Sequence, residues 1–245
     1  MNTLSVVIIT QNEQRNIGRC LESVKGVADQ IVVVDSGSTD DTESVVRSFG
    51  ADFVHHDWEG YAQQKNFAES LATGDFILSI DADEALSDEL KSSVAKLKNE
   101  GFGQNEVYEV KRLTNFCGDW IHHCGWYPDA KIRIYARGTS RWDGVVHESL
   151  IFSHNPKIVP LSGDLLHYSY YSVAEFISRQ DHYSTLAAQK DQGKKVSLAK
   201  LVFKPMWKFL RDYLFRLGFL DGKSGYIICR TNAYYTFMKY AKRGD

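Results

Sequence analysis

The sequence has little that would place it across a membrane or outside a cell. No apolar run approaches the ~20 residues a membrane span needs. Met1-Asn2-Thr3 leads into a short apolar run, Leu4 to Ile9, with no basic region before it and no small-residue cleavage site after it, so no signal peptide is expected. Only four cysteines occur in 245 residues (Cys20, Cys117, Cys124, Cys229), too few for a disulfide framework in a chain of this size. Reduced thiols in a cytoplasmic protein are expected. Two common phosphate-binding devices are also missing. No G-x-G-x-x-G follows the first apolar run, which argues against a dinucleotide-dependent oxidoreductase. Gly222-Lys223-Ser224 looks like the end of a P-loop, but Leu217 stands where that pattern needs glycine and no strand precedes it. There is no internal repeat and no low-complexity segment.

What is present is an ordinary globular composition, 43% hydrophobic and 24% charged, enough for one large domain or one domain with an appendage. The net charge of −2 conceals an asymmetry: residues 194–245 carry 12 Lys and Arg against three Asp, a net +9, and residues 1–193 carry 17 against 28, a net −11. The C-terminal region is electrostatically distinct.

Leu4 to Thr10, Ile31 to Val34 and Phe76 to Ile80 are β-branched and nearly continuous in their apolarity, as strands covered on both faces of a parallel sheet are. Helical stretches lie between them, about Arg15 to Val24, Asp41 to Phe49 and Tyr61 to Ala72. Asp40 followed by Glu43 reads as a capping box, Gly50 as a helix terminator, and Thr73-Gly74 as another. Strands alternating with such helices imply right-handed βαβ units. After Gly101, alternation in Val107 to Leu113 and Lys131 to Tyr135 predicts antiparallel or mixed sheet around an aromatic loop, Asn115 to Pro128. From Ser172 the chain reads as helix, and Pro205 either kinks the Val196 to Leu220 stretch or starts a second helix.

In open α/β sheets, ligands bind beyond the carboxyl ends of the strands. There the sequence offers Thr10-Gln11-Asn12-Glu13, Asp35 to Asp41, and Asp81-Ala82-Asp83-Glu84. Without a glycine-rich phosphate cradle, the remaining solution is a divalent cation bridging carboxylates and diphosphate oxygens. Asp81 and Asp83, separated by a small residue, can enter one crevice, and hard oxygen ligands select Mg²⁺ or Mn²⁺. A solvated acidic turn is the plainer reading of the pair taken alone.

Three segments in order carry a family resemblance: Val32 to Thr42 with its Asp35-Ser36-Gly37-Ser38-Thr39-Asp40-Asp41, then Gln64-Lys65-Asn66, then Gly74 to Glu84 with its Asp-x-Asp. Together they resemble the inverting family-2 glycosyltransferases of the GT-A fold. Trp142-Asp143-Gly144-Val145-Val146-His147-Glu148 and the basic, aromatic C-terminus resemble more narrowly the bacterial glycosyltransferases of lipopolysaccharide-core assembly, of the glucosyltransferase type. The resemblance implies an α/β, GT-A-like (Rossmann-type), mixed and largely parallel sheet flanked by helices. A catalytic domain over residues 1–170 and a basic helical extension over 171–245 are expected.

It also implies nucleotide contacts from Thr10 and Glu13, a hydrogen bond that Asp35 accepts from the base, usually uracil, and ribose, metal and diphosphate contacts from Asp81 and Asp83. Lys65 serves either the diphosphate or the structure. Inversion requires one general base for the acceptor hydroxyl. Glu148, well separated in sequence from the metal motif, is the candidate, with Asp129 and Asp143 in reserve. His147 either completes the metal shell with Asp83, holds the leaving phosphate, or is structural.

Cys117, His122, His123 and Cys124 match no usual zinc spacing. The loop around them offers Trp120, Trp126 and Tyr127 as flat faces for an acceptor sugar, or as an aromatic minicore. Lys204, Lys208, Arg211 and Arg216, interleaved with Trp207, Phe209, Tyr213 and Phe215, suit an anionic membrane surface or a helix packed on the α/β domain. No nucleic-acid-binding module is recognisable, so no nucleic acid partner is expected. The expected reaction moves a hexose, glucose from a UDP-sugar, onto a hydroxyl of a saccharide or lipid-linked saccharide in cell-envelope glycan synthesis, at the inner face of the cytoplasmic membrane. A metal-dependent nucleotidyltransferase and a non-catalytic nucleotide-sugar binding module are the rival classes. The first usually opens with a glycine-rich basic segment after strand one, which Gln11-Asn12-Glu13 is not. The second would be favoured by a decayed metal motif, and both aspartates are present.

Overall fold

Alternate residues of the first apolar run feed two different cores. Leu4, Val6 and Ile8 join Val33, Leu78 and Ile80 on one face, while Val7 joins Val32, Val34 and Ile77 on the other. Such a strand is apolar at nearly every position because neither face meets water. The computed structural model describes residues 2–144, 148–190, 193 and 195–244.

The elements run β1 (Leu4–Thr10), α1 (Ile17–Val24), β2 (Gln30–Asp35), α2 (Thr42–Ser48), β3 (Asp52–His55), α3 (Tyr61–Ser70), β4 (Phe76–Asp81), β5 (Glu84–Leu86), α4 (Asp88–Glu100), β6 (Glu106–Phe116), β7 (Asp119–Ile121), β8 (Asp129–Ala136), β9 (Ser140–Asp143), β10 (Ser149–Phe152), β11 (Lys157–Tyr170), α5 (Val173–Gln189), α6 (Leu198–Leu210) and α7 (Gly222–Ala241). The main sheet has the order β3-β2-β1-β4-β8-β6-β11-β5, with β7 on β6, and β9 and β10 form a separate hairpin. β3, β2, β1 and β4 are parallel; β8 joins β4 antiparallel and β5 joins β11 antiparallel. This is the mixed α/β sheet the sequence implies.

The chain divides into two compact units, residues 1–112 with 130–167, and residues 113–129 with 168–245. In the first, α1 places Ile17, Cys20, Leu21 and Val24 on one core, and α3 places Ala68 on the other. The second has its own core of Phe116, Ile121, Cys124, Phe176, Ile228 and Cys229. The loop 113–129, assigned from sequence to the first domain, thus packs with the C-terminal helices, because its aromatic and cysteine side chains find their apolar neighbours there.

Several local expectations are corrected. Asp40 and Glu43 form no capping box: the Asp40 carboxylate accepts from the Thr42 amide at 3.1 Å and the Gln14 amide at 3.2 Å, and Glu43 pairs with Arg47 at 2.8 Å. Gly50 does follow α2 in the left-handed region, φ +71°. Gly74 terminates no helix; a Cβ there would lie 2.7 Å from the Ser5 amide nitrogen, so the glycine serves close backbone approach. Pro205 sits inside α6, which ends in a π-helical turn over Arg211–Phe215. The long strand β11 escapes a pattern reading because Pro160 and Gly163 interrupt it, and both usually break strands.

Gly163 yields a direct test. Its φ is +91°, and a Cβ would fall 2.2 Å from the Leu90 amide nitrogen at the start of α4. Gly163→Ala should cost about 3 kcal/mol or more, adding left-handed strain to overlap with fixed backbone. Gly138→Ala, at φ +78° with nothing within 4 Å, should cost about 1 kcal/mol from the same strain alone. Urea unfolding of the two variants separates the contributions, and equal midpoints would refute the steric argument.

Candidate active site

The sheet register sets the site. Thr10 pairs with Asp35 across β1 and β2, and Ile9 pairs with Asp81 across β1 and β4, so the carboxyl ends of three parallel strands, two of them acidic, share one sheet edge. Asp35 is buried and turned onto its own loop, with Oδ2 accepting from the Gly37 and Ser38 amides at 2.8 Å each and Oδ1 from the Ser38 hydroxyl. The loops after β1 and β2 are laced together: the Asn12 amide donates to Ser38 Oγ at 2.7 Å, Asn12 Oδ1 accepts from the Thr39 amide at 2.8 Å, and the Glu13 amide donates to Thr42 Oγ1 at 2.9 Å. Glu13 Oε2 accepts from Asn16 at 2.7 Å. The Thr10 hydroxyl is buried with no hydrogen-bond partner among the described residues, an uncompensated donor on the edge where a ligand is expected.

Gln64-Lys65-Asn66, one turn of α3, ties three loops. Gln64 is fully buried; its Nε2 donates to Ser36 Oγ at 2.9 Å and to the His56 carbonyl at 3.1 Å. Asn66 clamps the Trp142 backbone, donating to its carbonyl at 2.9 Å and accepting from its amide at 2.8 Å. Lys65, almost wholly buried, sets its ammonium 3.2 Å from Asp81 Oδ1 and 3.1 Å from Glu148 Oε1, and 4.5 Å from the centre of the Trp142 ring. The Trp142 indole N–H donates to Glu69 Oε1 at 2.6 Å. Burial pushes the Glu69 carboxyl up, against hydrogen bonds from Tyr135 and Trp142 and the nearby Lys65 charge.

Beneath Asp81 lies a buried ion pair. Arg133 Nη2 sits 2.6 and 2.7 Å from the two oxygens of the fully buried Glu84 carboxylate and 3.4 Å from Asp81 Oδ2. Arg112 reaches Glu84 at 3.4 Å, and Glu84 Oε2 accepts from the Asp81 amide at 3.0 Å. Burial alone would raise the Asp81 carboxyl, but the charges of Lys65 and then Arg133 outweigh it and hold Asp81 well below the usual carboxylate range. Burial, reinforced by Glu84, Asp83, Asp81 and Glu13 in that order, pushes the Cys20 thiol well up. Four carboxylates therefore act on one buried point under the sheet edge.

Asp83 faces a partner that the sequence reading missed, His167, whose Nε2 lies 3.3 Å from Asp83 Oδ2. His167 reaches the site because β11 pairs with β5 in a register that sets it opposite Glu84. One carboxylate oxygen and one imidazole nitrogen thus stand beside the Asp81 carboxylate; of these donors the carboxylate oxygens are the hard ligands that Mg²⁺ or Mn²⁺ takes. Among the described residues no three His, Cys, Asp or Glu side chains gather as a metal cage. A cation that keeps waters and completes its shell with substrate phosphates needs only one or two protein ligands. His147, the expected metal ligand, lies outside the described residues.

Thr10, Glu13, Asp35, Lys65, Asp81, Asp83 and Glu148 all belong to the first unit. Asp143, a reserve base, ends β9 and is exposed. Trp120, Trp126, Tyr127 and Asp129 belong to the second unit. There Trp126 packs among Phe116, Tyr170 and Phe176, with ring centres 5.8 to 6.2 Å away, as a minicore residue does. Trp120 meets Tyr168 edge-on at 5.2 Å and Tyr127 meets His122 at 5.6 Å. His123 Nδ1 is 2.8 Å from Asp221, which also accepts from the His122 and His123 amides at 3.3 and 2.8 Å. All four cysteines are free.

A parallel βαβ half followed by antiparallel strands, with acidic residues gathered past the strand ends, defines a GT-A-like fold. In fold the chain resembles the mannosyltransferase PcManGT from Pyrobaculum calidifontis, solved in complex with GDP-Man and Mn²⁺, with a TM-score of 0.56 at 16% identity over 99% of this chain and 87% of that one. The sequence profile of Glycosyl transferase family 2 matches residues 5–125. An uncharacterized glycosyltransferase of Rickettsia prowazekii is 32% identical over 100% of this chain and 88% of its own length. The lipopolysaccharide core biosynthesis glycosyltransferase LpsC of Rhizobium meliloti is 35% identical over 98% of this chain and 91% of its own. The chain belongs to glycosyltransferase family 2.

Proposed function

We propose that this glycosyltransferase moves a hexose from a UDP-sugar, with inversion, onto a hydroxyl of a saccharide or lipid-linked saccharide in lipopolysaccharide or related envelope-glycan synthesis. The observation that carries the reading is the Lys65 ammonium shared between Asp81 and Glu148. It joins the acidic donor motif to a second carboxyl that arrives 67 residues later in the chain, between β9 and β10. Similarity to LpsC supports the envelope-glycan assignment, and the unpartnered Thr10 hydroxyl supports a ligand on this edge.

In this scheme Thr10, Glu13 and Asp35 hold the nucleotide, Asp81 and Lys65 position the ribose and diphosphate, and Asp83 with His167 would hold Mn²⁺ or Mg²⁺. Such a cation, when bound, neutralises diphosphate charge. A Glu148 oxygen takes the proton of the acceptor hydroxyl as that oxygen bonds to the anomeric carbon. The bond from that carbon to the diphosphate oxygen breaks, and the nucleotide diphosphate leaves with the electron pair.

The test is a screen of UDP-hexoses by thermal shift and UDP release, with Mn²⁺, Mg²⁺ or EDTA. A donor at about 100 times its dissociation constant stabilises the protein by about 2.7 kcal/mol. EDTA and Asp83→Ala should each remove most of that gain. Full stabilisation in Asp83→Ala overturns the metal assignment, and donor binding without UDP release under any metal overturns the transfer assignment.

A further inference from the structure

The second unit carries an apolar surface that its own core leaves uncovered. α6 packs against α7, yet none of its residues is buried. Leu198, Val202, Phe203, Met206 and Trp207 are all exposed, Leu198 at 74% and Phe203 at 61%. At about 100° per residue these five share roughly half of the helix circumference. The apolar face runs on into Phe215, 70% exposed, whose ring centre lies 5.8 Å from that of Trp207. A contiguous patch of this kind marks an interaction surface.

Its charges are sorted. The buried Asp212 takes up Lys208 at 2.5 Å, Arg211 at 2.9 Å and Arg216 at 3.6 Å, so three of the basic residues in this stretch share one internal carboxylate and keep a net positive charge. Lys195, Lys200 and Lys204 stay exposed, and Lys200 and Lys204 fall along one margin of the apolar arc. α6 itself has no acidic residue. A second copy would set lysine against lysine. An anionic surface complements both halves of the pattern.

We propose that α6 and the turn after it lie in the headgroup plane of an anionic lipid bilayer, the apolar arc inserted and the lysine margin on the phosphates. Thirteen residues rise only ~20 Å as a helix, and no helix among the described residues is long and apolar enough to cross a membrane, so the helix lies on the bilayer rather than through it. The inference stands apart from the donor-site reading, since a bare vesicle is the only ligand it needs.

The experiment is co-sedimentation of the full chain with vesicles of phosphatidylcholine alone or mixed with phosphatidylglycerol. Binding should need the anionic lipid and weaken with salt. Phe203→Ser with Trp207→Ser should lower the partition coefficient roughly tenfold or more, and Lys200→Glu with Lys204→Glu should lower it roughly tenfold or more through charge. Both pairs change exposed side chains, and an unaltered thermal melt certifies the fold. No binding at low salt, or binding unchanged in both pairs, overturns the proposal. So does a wild-type dimer in sedimentation velocity that Phe203→Ser with Trp207→Ser dissociates while vesicle binding is absent; that outcome assigns the surface to a second copy.

Discussion

Glu148→Gln should lower kcat by roughly 10²–10⁴-fold, the usual contribution of a positioned general base, while leaving donor affinity within a few-fold of wild type. The amide keeps the shape of the side chain and can still take a hydrogen bond from Lys65, which retains Asp81 at 3.2 Å. What it loses is the capacity to accept a proton from the incoming hydroxyl. Steady-state turnover together with donor titration calorimetry separates the two effects: a kcat defect with intact binding identifies the base, and a binding defect of equal size makes Glu148 a support for Lys65. Wild-type turnover in Glu148→Gln would transfer the role to Asp143 or Asp129.

The second large effect is on stability. Arg133→Ala should cost about 3–5 kcal/mol, because it leaves a buried carboxylate without its main counter-charge. Glu84 is fully buried and Arg133 nearly so, with the guanidinium 2.6 and 2.7 Å from the two carboxylate oxygens. Burial alone would lower the guanidinium pKa, but Glu84 and then Asp81 outweigh it and raise it, so Arg133 keeps its charge. Replacing both partners, Arg133→Met with Glu84→Met, should be far milder than the single change, since removing two buried ions can be neutral where removing one is not. A double-mutant cycle in urea measures the coupling. Additive losses would show that Arg112 and the Asp81 amide satisfy Glu84 without Arg133.

The same ion pair shows where a sequence stops being legible. The parallel half of the sheet could be read from Leu4 to Thr10, Ile31 to Val34 and Phe76 to Ile80, because a strand buried on both faces has few polar positions to confuse the pattern. The placement of Thr10, Asp35 and Asp81 on one edge followed from the rule for strand ends. Arg133, by contrast, stands between Ile132 and Ile134, where alternation assigns it to water; the carboxylate that draws it inward lies 49 residues earlier. His167 was invisible for a similar reason. It is a lone histidine on a strand interrupted by Pro160 and Gly163, and only the β5 pairing brings it to Asp83. Trp126 fell on the plainer side of an open reading, because its neighbours Tyr170 and Phe176 come from a distant segment. Local pattern reports which residues avoid water. Partners across a sheet register are not local information.

Gln64, Lys65 and Asn66 occupy one turn of α3 and face three destinations: the loop after β2, the pair Asp81 and Glu148, and the Trp142 backbone. A single residue inserted at the start of α3 would turn all three side chains by about 100° around the helix axis and detach them together. α3 therefore behaves as a keyed shaft, indifferent to the chemistry of its outer face and intolerant of any change in length. It is a poor place to graft a tag or a loop.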